Sequence, residues 1–214
     1  MGKAHKRAET ETDTREKLLR ASAHVFAEKG FGGATVKAIA DEAGCNISLI
    51  SYHFDGKEGL FKALVERFGR ERLRDAENVL YPPESMEDMR ARLRLWMQQF
   101  LLCQVQEDHL CDILNRENIL GEEFLWDVFQ ETFLKAFHAI VKFFEAARKK
   151  GLIRKDVDPI SATTMLFGSL NHVGRHQKIQ QKVYRVSIAQ EKYRAQVIEQ
   201  FLNIIISGIS GGNA

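Results

Sequence analysis

Residues 35–58, TVKAIADEAGCNISLISYHFDGKE, constrain the fold of this chain more than any other stretch. Thr35 is a favourable N-cap. Behind it Val36, Ile39, Ala40 and Ala43 recur at the spacing of one buried stripe on a short helix. Gly44 stands just past the last periodic residue, where a helix stops. After a short turn the pattern predicts a second helix over 48–54. Ile47, Ile50 and Phe54 can face inward there, leaving Ser48, Ser51, Tyr52 and His53 largely outside. Two short helices around a tight turn make a helix–turn–helix, a motif that lays its second helix in the DNA major groove. An ordinary helical hairpin with a solvated face fits the same residues, and DNA binding is the favoured reading.

The rest of the chain reads as helical. It holds three prolines in 214 residues, and no alternating apolar run bounded by hairpin turns is evident, so the expected class is all-α. Residues 1–12 lack apolar periodicity and read as a flexible basic arm carrying Lys3, Lys6 and Arg7. Asp13 followed by Glu16 offers a capping box for a helix running to about Lys29, which Gly30 ends. Asp55 and Glu58 open a longer helix from Lys57 to about Leu80, apolar at first and charged from Arg70 onward. Pro82-Pro83 then breaks the chain, which places the domain boundary between Phe68 and Pro83. Domains are expected at 13–68 and 69–214. In the second, helices are expected at about 85–106, 109–120, 122–150, from Pro159 onward, and 187–207.

Charge gives the DNA reading little help. Residues 1–60 hold nine Lys/Arg and nine Asp/Glu, and the chain carries +2 overall. Contacts would then rest on local placement, with Lys37 and Lys57 bracketing the motif, and non-specific affinity would be modest. Three cysteines at unremarkable spacing argue for a reducing compartment. The charged, polar N-terminus is unlike a signal peptide, and the apolar stretch near 201–209 is too short to span a bilayer. A soluble, cytoplasmic protein is expected.

Several spaced elements closely resemble the TetR family of bacterial regulators. They are FAEKGF at 26–31, Thr35, IADEAG at 39–44, SYHF at 51–54 and GKEGLF at 56–61. The strong part of the resemblance covers about a quarter of the chain; GLIRKDVDP at 151–159 also looks like a family junction. The resemblance implies an N-terminal helix-turn-helix domain, a connector helix, and a C-terminal helical ligand-binding and dimerisation domain. It further implies a homodimer paired through the last two helices, a palindromic double-stranded DNA operator, and a small-molecule effector that releases the DNA. By the same resemblance Thr35 and Lys37 match phosphate or groove-edge contacts, and Ile47, Ser48, Leu49 and Ser51 match the groove-facing set. Tyr52 and His53 match a backbone-clamping pair, and Lys57 matches a phosphate-binding lysine at the start of the fourth helix. An aromatic residue is common in the family where this chain has Ser51. Apolar Ile47 and Leu49 fit thymine methyl groups.

No catalytic constellation is evident: the sequence has no phosphate loop, nucleophile elbow or HExxH. His172 and His176, four apart, share a helix face without a third metal ligand at a diagnostic spacing, and neither metal nor cofactor is expected. An enzyme is therefore not expected. Aromatic residues are dense in the second domain and serve mainly as core. Trp96, Phe100, Cys103, Phe124, Phe129 and Phe133 are candidate pocket residues, with His172 and Arg175 as polar contacts for an apolar or amphipathic ligand. The competing reading is a helical protein–protein interaction or corepressor module that keeps the helix-turn-helix fold without reading DNA.

Overall fold

The computed structural model describes residues 2–106, 111, 113–114 and 123–210. No strand occurs among them. Ile153 and Ser210 form an isolated antiparallel bridge, and the Arg154 N–H donates to the Ile209 carbonyl at 2.8 Å. The chain divides into two compact units, Met1–Gly69 with His109–Phe129, and Arg70–Asp108 with Gln130–Ala214.

In the first unit α1 spans Gly2–Gly33 and is broken at Gly30, whose φ of 70° is a conformation that costs glycine little. Residues 2–12, expected as an arm, continue this helix. Ala, Lys, Arg and Glu are strong helix formers, so backbone helix persists there without an apolar stripe to bury. Asp13 accordingly caps nothing; it pairs with Lys17 at 2.6 Å within the helix. Helices α2 (Val36–Ala43) and α3 (Ser48–Phe54) follow, and then α4 (Lys57–Val79). Leu18, Leu19, Val25 and Phe26 of α1 are buried, as are Ile39 and Ala40, Ile50 and Phe54, and Leu60, Phe61 and Leu64. Each amphipathic helix thus gives its apolar face to the same unit.

The boundary between units falls inside α4, between Gly69 and Arg70. The first unit also takes in residues 109–129. Phe124 supplies a reason: its ring packs on Phe31 and Phe61, both of the head. The helix expected at 109–120 lies largely outside the described residues.

The second unit is built on α5 (Met86–Gln106). The long helix expected at 122–150 is interrupted. A 3-10 turn covers Glu123–Leu125, α6 is Trp126–Phe129, a π turn covers Gln130–Leu134, and α7 is Lys135–Lys149. The π turn adds a residue to the ladder between Trp126–Phe129 and Lys135–Lys149, so the two helices do not share one continuous face. Pro159–Arg175 forms α8 and Glu191–Ile209 forms α10. Between them lies α9 (Gln177–Tyr184), a short helix not expected from the sequence, none of whose residues is buried. The core joins Leu93 and Met97 of α5, Phe143 and Phe144 of α7, Leu170 of α8 and Leu202 of α10.

Helix starts here follow simple chemistry. Ser85 Oγ accepts from the Asp88 N–H at 3.1 Å, and Asp158 accepts from the Ser161 N–H at 2.8 Å ahead of Pro159. The bonds to Ser161 hold the Asp158 carboxyl below its ordinary value of 3.8. A depressed carboxylate contributes its stability fully above that value and loses it as pH falls through the lower, folded one. Asp158→Ala is therefore expected to lower the melting temperature at neutral pH. The gap to wild type closes in an acid titration.

Candidate nucleic-acid interface

The geometry of the head follows from its turns. Thr35 is extended (φ −114°, ψ 147°), and its Oγ1 accepts from the Ala38 N–H at 3.1 Å, the side-chain cap expected at that position. Gly44 closes α2 in the left-handed region at φ 61°. Asn46, which sequence patterning missed, starts α3. Its Oδ1 accepts from the Ser48 N–H at 2.9 Å and from the Ser48 hydroxyl at 2.8 Å. An Asx residue two positions ahead of an orphan N–H is the signal that could have found it.

Ile50 and Phe54 point inward. The opposite side of α3 presents Ser48, Ser51 and Tyr52, all exposed, with Ile47 46% and Tyr52 69% accessible. Leu49 and His53 are half-buried, and Thr35 and Lys37 are exposed at the start of α2. These residues therefore form an accessible surface at the first turn of α2 and along α3. Tyr52 and His53 meet edge-on at 4.9 Å, which steadies both rings. Because the Ser48 hydroxyl donates to Asn46, its oxygen keeps lone pairs for an incoming donor.

Lys57, at the start of α4, also makes contacts inside the head. Its Nζ donates to the Phe31 carbonyl at 2.9 Å and to the Ala34 carbonyl at 3.2 Å, and lies 4.5 Å from the Phe31 ring centroid. Two carbonyls and an aromatic face draw the cation into the protein. Lys57 thus fastens the loop ahead of α2 with two of the three N–H donors of its ammonium group.

Gly59 fixes the angle between α3 and α4. A Cβ there would stand 1.7 Å from the Phe54 carbonyl oxygen, so no larger residue fits without backbone movement.

The ligand candidates divide between the two units. Phe124 and Phe129 belong to the first unit, while Trp96, Phe100, Cys103, Phe133, His172 and Arg175 belong to the second. Trp96 is 4% exposed in the core, with Phe100 against it at 5.4 Å, and Cys103 is buried. Phe133 is half-buried, whereas His172 and Arg175 are exposed, so the last two do not line an enclosed cavity. The His172 and His176 rings stack at 4.0 Å, and His176 Nδ1 lies 3.0 Å from the His172 carbonyl. Gln99 and Gln180, not singled out from sequence, each bury an Oε1 without a hydrogen-bond partner among the described residues.

A capped, tightly closed helix–turn–helix on a helical chain defines the class of the fold. Residues 18–64 match the model of the bacterial regulatory proteins of the tetR family. The chain carries the N-terminal domain of that family. The probable HTH-type transcriptional regulator YttP of Bacillus subtilis is 42% identical over 55 residues, 26% of this chain and 27% of that protein. The match thus spans about a quarter of that relative's length. Over the whole fold, FadR of Bacillus subtilis in complex with stearoyl-CoA superposes with a TM-score of 0.72 at 18% identity, covering 91% of this chain and 98% of that one. SmeT of Stenotrophomonas maltophilia, in a triclosan complex, gives 0.69 at 20% identity over 94% and 93%.

Two changes test the head. Gly59→Ala is expected to destabilise by about 3 kcal/mol, since backbone is what the methyl meets. Lys57→Met, which keeps the stem and removes the ammonium, is expected to cost about 1.5 kcal/mol of charge-assisted bonding. Denaturant unfolding monitored by circular dichroism checks both.

Proposed function

We propose that this chain is a sequence-specific DNA-binding transcriptional regulator, a repressor that leaves its operator on binding a small apolar or amphipathic molecule. The observation that carries the reading is the exposed face of α3, with Ser48, Ser51 and Tyr52 outward and Ile50 and Phe54 inward, in the segment matching the family. Thr35 and Lys37 flank that face from α2. In this reading Tyr52 and His53 bear on phosphates, Ile47 and Leu49 on thymine methyls, and Ser48 and Ser51 on base edges.

Dimerisation through the last two long helices, α8 and α10, is part of the proposal. Ile160 and Met165 of α8 are 58% and 71% exposed and Ile204 of α10 is 70% exposed, so both helices leave large apolar side chains uncovered in the single chain, which supports a partner. A two-fold dimer would present two α3 helices to successive major grooves, roughly 34 Å apart, on a palindromic site. The ligand class rests on the stearoyl-CoA and triclosan complexes of proteins of similar fold. The unbonded Gln99 and Gln180 oxygens support polar handles for such a molecule, with Phe100, Cys103 and Phe133 as apolar candidates. We assign no enzymatic activity and place the protein in the cytoplasm, where its DNA partner lies. No helix among the described residues is long and apolar enough to cross a membrane.

Footprinting on the DNA around the chain's own gene is the first test; a protected palindrome at moderate salt is expected. Tyr52→Ala should weaken binding about tenfold, to a similar extent on different sequences, as loss of a phosphate contact does. Unchanged binding by Tyr52→Ala would favour the corepressor-module reading, in which α3 is a structural face. A ligand that raises the melting temperature and releases the duplex would establish the effector.

A further inference from the structure

Glu123–Phe129 brings an aromatic ring and a carboxylate to the head. Phe124 stacks on Phe31 with centroids 5.6 Å apart and planes 28° apart, and lies 6.4 Å from Phe61. Phe31 and Phe61 are themselves 4.9 Å apart, and Phe61 meets buried Phe26 edge-on at 4.9 Å. Asp127, three residues along, accepts from Lys62 Nζ of α4 at 2.6 Å.

Phe31 is a mechanically connected target. Its carbonyl and that of Ala34 both accept from Lys57, and the Ala34 N–H donates to the Gly30 carbonyl at 3.1 Å. The next residue, Thr35, is the N-cap of α2. A ring held on Phe31 therefore bears, through one short tied loop, on the end of α2 that presents Thr35 and Lys37.

We propose that Phe124 is a positioning residue for DNA binding: it clasps the loop ahead of α2 and holds Thr35 and Lys37 in register with α3, with Asp127 on Lys62 as a lateral stop. The inference rests on the DNA-binding reading above. The Asp127–Lys62 pair is exposed and stabilises little by itself, so the ring supplies most of the attraction, but like charges placed at that 2.6 Å contact would repel and loosen the clasp. The same backbone continues into the π turn Gln130–Leu134, so a change at that turn reaches Phe31 through the chain itself.

Duplexes selected from a random pool by the full-length protein supply the probe. Phe124→Leu keeps apolar volume and loses the aromatic face; it should weaken binding about fivefold, while Phe124→Tyr stays within about twofold. Tryptophan emission gives a second readout. The part of the signal that Trp126→Phe removes should respond to duplex in wild type and in Phe124→Tyr, and fail to respond in Phe124→Leu. Folded Phe124→Leu with unchanged affinity and response overturns the proposal, as does a loss that Phe124→Tyr shares. If Phe124→Leu does not fold, the charge exchange decides. Lys62→Asp and Asp127→Lys should each diminish the response and the double change restore it; three equal responses overturn the clasp. Failure to select any duplex overturns the DNA reading and the clasp together, whereas the other adverse outcomes leave that reading intact.

Discussion

The approach of α4 to the last carbonyl of α3, at Gly59, is the contact on which the head depends. Seven residues are too few for a helix to persist in water on its own, because nucleation costs more than so few bonds return. Helix α3 exists because both of its ends are held. Asn46 satisfies the first N–H, and Asp55 and Gly56 reverse the chain at φ 60° and 99°. Gly59 then lets the next helix seat directly against Phe54. With Ile50 and Phe54 committed to the core, the outward direction of Ser48, Ser51 and Tyr52 follows from helical geometry. The interface is thus a product of tertiary closure and not of local helix propensity.

Electrostatics adds less than a DNA-binding surface would ordinarily have. Equal numbers of acidic and basic residues in the first sixty leave no broad positive field, and Lys57 spends its cation on two carbonyls. Beside the exposed face of α3, positive charge comes from Lys37, from Arg15 over the Phe54 ring at 5.1 Å, and from the first turn of α2, whose early N–H groups have no helical partner. Attraction for phosphate is local, and the exposed set on α3 is small and partly apolar. Discrimination in the proposed function would then lean on methyl contacts, DNA shape and dimer spacing more than on bidentate bonds.

Much of the head was legible because its signals are local. Thr35 marks the start of α2 by its side chain and Gly44 its end by a left-handed backbone, signals that act over two to four residues, and the observed α2 and α3 keep the expected bounds. The tie made by Lys57 was not legible, since Phe31 and Ala34 come within its reach only after α1 breaks at Gly30. The division of the aromatic residues was hidden for the same reason. Trp96 and Phe124 look equivalent in composition, yet one is sealed in the core of the second unit and the other is spent on the head. Helix α9 escaped notice because eight residues with one apolar i, i+4 pair, Ile179 and Val183, are too short a stretch for periodicity to mark a helix.

Regulation of the head by the second unit has few covalent routes. The chain crosses between units within α4 at Gly69–Arg70, between Asp108 and His109, and at Phe129–Gln130. The first crossing lies inside a regular helix, which transmits displacement with little loss. The last coincides with the start of a π turn, where the hydrogen-bond ladder is widened by one residue. Such turns are less stable than the α-helix around them, and a shift back to α geometry rotates everything on one side relative to the other. Trp126, Asp127 and Phe124 lie immediately ahead of that turn, on the segment that grips Phe31 and Lys62. In the proposed function, a change at that turn would act on the loop before α2 through Phe124 and Asp127, which contact Phe31 and Lys62.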